Sequence, residues 1–168
     1  MTFAPRTWVV GEVVAAATLN AEIRDQFSSM FDTWTTYTPA WTASTTNPVL
    51  NNGSLTGRYI KIGRTVTCNI NLVTGSTTTY GSGNHSFSLP VTAATSGTAV
   101  IGHAHILGAT STDRWAGQLV ISSGSNSAAP FFPDAAADTR LSWMTAANPV
   151  VLAASNQVRM TLVYESAT

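Results

Sequence analysis

Apolar residues recur as Leu19, Ile23, Phe27, Met30 and Trp34, at spacings of four, four, three and four. One face of a helix repeats at that period. Asn20, Glu22, Arg24, Asp25 and Ser28 fall off the stripe. Thr18 stands where its hydroxyl can cap a first turn. The spacing therefore predicts one helix over 19–32. An isolated helix of that length is marginal in water. Its stripe must be covered by its own domain or by further copies of the chain. The near-heptad spacing permits a short coiled coil. Ahead of it, 1–17 reads as extended, punctuated by Pro5 and Gly11.

From Tyr37 the period changes to two. Tyr37-Thr38-Pro39-Ala40-Trp41-Thr42 alternates, and Pro39 suggests an edge strand. Residues 57–73 predict a hairpin turning at Gly63-Arg64, followed by a loop over 74–83. Further strands are expected at 86–90, 98–107, 115–122, 131–132, 141–144 and 157–164, with 123–129 as polar loop. About eight or nine short strands with turns between them indicate a mainly β protein. The expected form is an antiparallel β-sandwich of jelly-roll type, over 35–168. An N-terminal arm and one α-helix precede it, over 1–34.

Composition changes this picture at the surface. Charged residues make up 10% of the chain, against roughly 25% in ordinary soluble domains. Thr, Ser, Asn, Gly and Ala take their place, which suits an extracellular particle or a sugar-facing module. The charges cancel, eight basic against eight acidic, so there is no electrostatic footprint for nucleic acid. A near-zero net charge favours association. Arg6 before an apolar run ending Ala15-Ala16-Ala17 imitates a secretory leader, but Glu12 interrupts the run. No stretch of eighteen apolar residues is present, so no membrane insertion is expected.

Candidate chemistry is sparse. Cys68 is the lone cysteine and shares an alternating face with Val66, Ile70 and Leu72, so it reads as a buried thiol. No Gly-x-Ser-x-Gly elbow, phosphate loop or Cys-x-x-Cys occurs, and His85, His103 and His105 stand near no acid. Asp113, Asp134 and Asp138 read as solvated turn and loop acids rather than a hydrolytic pair. The expectation is a non-enzyme without cofactors. His103-Ala104-His105 places two imidazoles on one face of a strand. They are weak metal candidates, and two ordinary surface histidines are the plainer reading. Tyr80, in a Gly/Thr loop, and Trp115 are candidate glycan contacts, although a tryptophan in a sandwich more often packs into the core.

Two segments resemble a known group. Thr7-Trp8-Val9-Val10-Gly11-Glu12-Val13-Val14, followed by Leu19-Asn20 and Ile23-Arg24-Asp25, resembles the N-terminal segment of structural proteins of tailed phages infecting actinobacteria. Tyr37-Thr38-Pro39-Ala40-Trp41-Thr42, Leu55-Thr56-Gly57-Arg58-Tyr59, Gly63-Arg64-Thr65-Val66 and Phe87-Ser88-Leu89-Pro90 are similar to β-modules of their fibre, minor tail and head-fibre proteins. Related sequences often carry Thr-Ala where this chain has Ala15-Ala16-Ala17. The resemblance covers about half the chain, residues 7 to 90. It implies a virion component, a homotrimer bound to capsid, portal/collar or tail proteins. Trp8, Gly11 and Glu12 would belong to the anchor, and the stripe from Leu19 to Trp34 to the trimer helix. A host-surface glycan is a further expected partner, and a receptor-binding module the alternative role.

Overall fold

The structure, a computed structural model, describes residues 7–110, 112–134 and 137–168. Expectations placed on Pro5, Arg6 and the side chain of Asp138 lie outside the described residues. The chain opens with α1 (Ala16–Leu19), a π-helical turn (Asn20–Arg24) and α2 (Asp25–Met30). Five strands follow: β1 (Thr35–Tyr37), β2 (Trp41–Ala43), β3 (Ser54–Ile62), β4 (Thr65–Val73) and β5 (His85–Ser88). The second half supplies β6 (Val100–Leu107), β7 (Arg114–Ile121), β8 (Ser127–Asp134), β9 (Ala137–Trp143) and β10 (Gln157–Glu165).

All ten strands join one antiparallel sheet, in the order β1-β3-β4-β10-β6-β7-β8-β5-β2, with β9 also on β8. Three hairpins in a row, β6 to β9, are local pairings. The long-range step is β10, the last strand, which enters between β4 and β6. Its strict alternation dictates the result. Val158, Met160, Leu162 and Tyr164 are buried, while Arg159, Thr161, Val163 and Glu165 face out. Across the inner face Met160 sits between Ile70 and Ala104, and Val158 between Leu72 and Ile106. These residues belong to a single core that also holds Trp41, Phe87, Leu119 and Phe132.

The sheet curls until its two edges meet. β1 lies at one end of the strand order and β2 at the other, yet only Thr38, Pro39 and Ala40 separate them. Three residues bridge at most ~14 Å. Tyr37 closes the seam: its hydroxyl lies 3.2 Å from Cys68 Sγ and donates to the Ser88 carbonyl at 3.4 Å. Gly57, opposite Tyr37 in the register, makes room for that ring, because a Cβ there would penetrate it. Burial, then the bond to Cys68, raises the Tyr37 pKa.

Several expectations change. The stretch 37–42 is not one strand: buried Pro39, without an N–H to donate, sits in the crossing between the two edges. The helix begins before Leu19, because Ala15, Ala16 and Ala17 are strong helix formers. Ala15 is the N-cap, without a side-chain bond, and Thr18 lies inside the first turn. The helix stops at Met30, where Asp32 Oδ1 accepts the Thr33 N–H at 2.8 Å and opens a local turn. Trp34 therefore falls beyond it. Residues 127–129 are strand rather than loop, since Ala128 pairs with Phe87 and Ala129 with Val120. Asp134 ends β8 and Asp138 lies within β9, not in a loop. The hydrogen-bond path is one curled sheet, whose walls face each other across the core.

Candidate functional site

The sheet buries its own apolar residues, but the N-terminal segment does not. Among the described residues seventeen large hydrophobic side chains are exposed, and ten of them lie between Trp8 and Phe31. Apolar residues scattered singly over a surface are ordinary, whereas a contiguous set marks an interaction site. The helical stripe is exposed along its length: Leu19 by 40%, Ile23 by 46%, Phe27 by 61% and Met30 by 47%. The chain's own domain thus leaves the stripe largely uncovered. Trp34, the fifth predicted member, is half-buried in the coil before β1.

The arm ahead of the helix has a local logic. Gly11 takes φ +85°, a left-handed conformation suited to glycine. The turn brings Glu12 back, so that its Oε2 accepts the Val9 N–H at 3.3 Å and its own N–H donates to the Val9 carbonyl at 3.2 Å. Gly11-Glu12 is therefore a turn that presents Trp8, Val9, Val10 and Val13 outward. Beyond it the helix stands off the sheet. Between the stripe and the end of β3 runs a groove of about 760 Å³, lined by Ile23, Phe27 and Met30 on one side and by Ile60, Ile62 and Val91 on the other. The helix is tied to the domain by this edge of β3 and lacks close packing against it.

His103 and His105 do share the outer face, as period two predicts. Thr161 lies across from His103 and Arg159 across from His105. Desolvation, then the guanidiniums of Arg114 and Arg159, lower the His105 pKa. Two flanking cations make a poor cradle for a metal ion, and no group of three or more His, Cys, Asp or Glu side chains is assembled among the described residues. Tyr80 and Trp115 are half-buried and packed against the core. A more exposed aromatic is Trp143 on β9, whose ring centroid lies 4.5 Å from that of the half-buried Phe131 on β8. Sequence alone does not reveal it, because Phe131-Phe132 leaves open which ring faces out.

The acids are engaged locally. Asp134 Oδ2 accepts from Arg140 Nη2 at 2.7 Å and from Ser142 Oγ at 3.0 Å. Asp113 Oδ2 accepts from Thr110 Oγ1 at 2.9 Å. Cys68 is fully buried, and desolvation raises its pKa.

His85 is the one buried histidine. Its Nε2 donates to the Tyr80 carbonyl at 3.0 Å, and its ring meets Trp41 edge-on at 5.4 Å. Its Nδ1 and Trp41 Nε1 have no partner among the described residues. Burial lowers the His85 pKa from 6.5. The unfolded chain therefore binds a proton on this side chain before the folded chain does. The His85 contribution is full above pH 6.5 and is lost as pH falls from there toward the depressed folded value. The urea midpoint should hold from pH 8 to 7 and decline from about 6.5 to 5, before carboxylates titrate. His85→Leu should reduce that decline, leaving the part that His105, also lowered, contributes; an unchanged slope would show that His85 is not responsible.

The fold and this surface define the class: a mainly β, antiparallel protein with a short helix and an exposed apolar N-terminal segment. Compared with known proteins, the chain matches no family model, no curated protein and no solved structure. No helix among the described residues is long and apolar enough to cross a membrane.

Proposed function

We propose that this chain is a non-enzymatic structural protein of a phage particle, located in the virion and held there by its N-terminal segment. The observation that carries the reading is the run of exposed apolar side chains from Trp8 to Phe31 on a domain with a complete core of its own. Such a surface is costly in water and is stabilised by burial. The same segment carries the Gly11-Glu12 and Leu19-Asn20 pattern that resembles phage structural proteins. On this reading the stripe packs against the same stripe of two further copies, giving a homotrimer. The arm docks on a capsid, portal/collar or tail protein. The curled sheet is the knob of a fibre or decoration, and its opposed walls support its description as a jelly-roll sandwich. A weakly charged, hydroxyl-rich surface suits such exposure.

The test is a search for the chain on particles. Antibody raised against the β-domain should label virions recovered from the source in electron micrographs, at a fixed position. Virions assembled with a chain lacking residues 7–31 should lose the label. Particles that never contain the chain would overturn the reading.

A further inference from the structure

The groove beside the helix is bounded by more than apolar side chains. β1 pairs with β3 only at Gly57, Arg58 and Tyr59. Past Tyr59, over 60–62, no strand lies beside that edge of β3 among the described residues. An open strand edge presents backbone N–H and C=O groups at strand spacing. Here it runs along one wall of the groove, with Ile60 and Ile62 on it and Ile23, Phe27 and Met30 opposite. Edge and apolar wall together select an extended apolar segment, whose backbone pairs with the edge while its side chains fill the gap. A helix has no free backbone groups along its length to offer the edge. A small apolar ligand leaves the edge unpaired.

The chain carries such a segment and leaves it uncovered. Val9, Val10, Val13 and Val14 stand ahead of the helix, exposed by 66%, 106%, 90% and 46%. Branched valine favours extended backbone, and Ala15, where the arm joins the helix, is extended with ψ 140°. With its valines in the open, the arm does not fill the groove of its own chain. Contact area points to a second copy. Leu19, Ile23, Phe27 and Met30 are exposed by 40–61%. Even at ~250 Å² for a fully exposed side chain, the upper figure for an aromatic ring, they offer less than about 500 Å². In a trimer that area is divided between two neighbours. A stable contact takes about 800 Å² from each partner, more than half of it apolar. The stripe alone therefore falls short, and the valines with the groove walls make up the difference.

We propose that the arm of one copy, from Val9 to Val14, lies as an added strand along 60–62 of β3 in a second copy, with valines seated between that copy's helix and sheet. The exchange rests on the assembly reading above and says how the copies are joined. An arm in a neighbour's groove is a head-to-tail contact, and three such contacts close a ring. The arm is then divided: its valines go to the neighbouring copy, and Trp8 ahead of them is left for the particle. Leu19 and Phe31, which do not line the groove, stay exposed for contact between helices.

Cross-linking between two full-length variants tests it. Val10→Cys and Ile62→Cys chains are mixed in equal amounts while dilute, then concentrated under mild oxidation. Cys68 is fully buried and does not compete. The expected product on a non-reducing gel joins one chain of each kind. It should exceed by at least about tenfold the link from Val10→Cys to a control, Val151→Cys, at a site 72% exposed and off the groove. Val10→Asp combined with Val13→Asp changes exposed side chains, so the melting midpoint should hold. The dissociation constant of the trimer should rise by about tenfold or more. A trimer that links Val10→Cys to Ile62→Cys no better than to the control would overturn the exchange and leave the trimer standing. A link formed only within a doubly substituted chain would place the arm in its own groove and overturn the exchange as well. A chain that is monomeric at every concentration would overturn trimer and exchange together.

Discussion

Ile23→Asp combined with Phe27→Asp yields a folded chain that no longer associates. The two side chains are 46% and 61% exposed and stand outside the core. Charging them removes nothing the sheet depends on, so the thermal midpoint should move by no more than surface substitutions usually cause, about 0.5 kcal/mol. In an assembled trimer the same positions lie in a seam away from water. There an unpaired carboxylate costs several kcal/mol, and each chain would carry two. The effect should therefore be all-or-none in oligomeric state and small in monomer stability. Sedimentation velocity with parallel melting curves reads both. Unchanged association would show that the stripe is not the contact, and a collapsed melting curve would show that the helix is part of the core.

Phe87→Ala has the opposite signature. Phe87 is fully buried on β5, where it pairs with Trp41 of β2 and Ala128 of β8. Its ring stacks on Trp41 with centroids 6.1 Å apart and planes within 4°. It sits where the far edge of the curled sheet is fastened, so its loss leaves a cavity bordered by strands that cannot collapse inward. Truncating a buried phenylalanine costs about 3–5 kcal/mol, a large share of the roughly 5–15 kcal/mol that stabilises a domain. The thermal midpoint should fall by about 10 °C or more. Val151→Ala, at a site 72% exposed, is the control and should be nearly silent. A shift below about 1 kcal/mol for Phe87→Ala would contradict the placement of this ring in the core.

The long strands were legible because each buries one face and wets the other. β4 and β10 alternate without a break, and their boundaries match the expectation to within a few residues. The closure was not legible. Nothing in Tyr37-Thr38-Pro39-Ala40-Trp41 says that its two ends pair at opposite edges of one sheet, because that depends on curl accumulated over the seven strands between them. Residues 127–129 misled for a related reason: strands on both sides override the weak preference of Ser127-Ala128-Ala129 for a turn. The apolar stripe was plain in the sequence, but its exposure was not, since periodicity shows a face and not what covers it.

The claim that the N-terminal stripe joins copies of this chain is tested most directly by light scattering on the unmodified protein over a range of concentrations. The expected mass is that of three 17.7 kDa chains at the upper end, falling to that of a single shortened chain when residues 7–31 are removed. A single-chain mass for the intact protein at every concentration would contradict it.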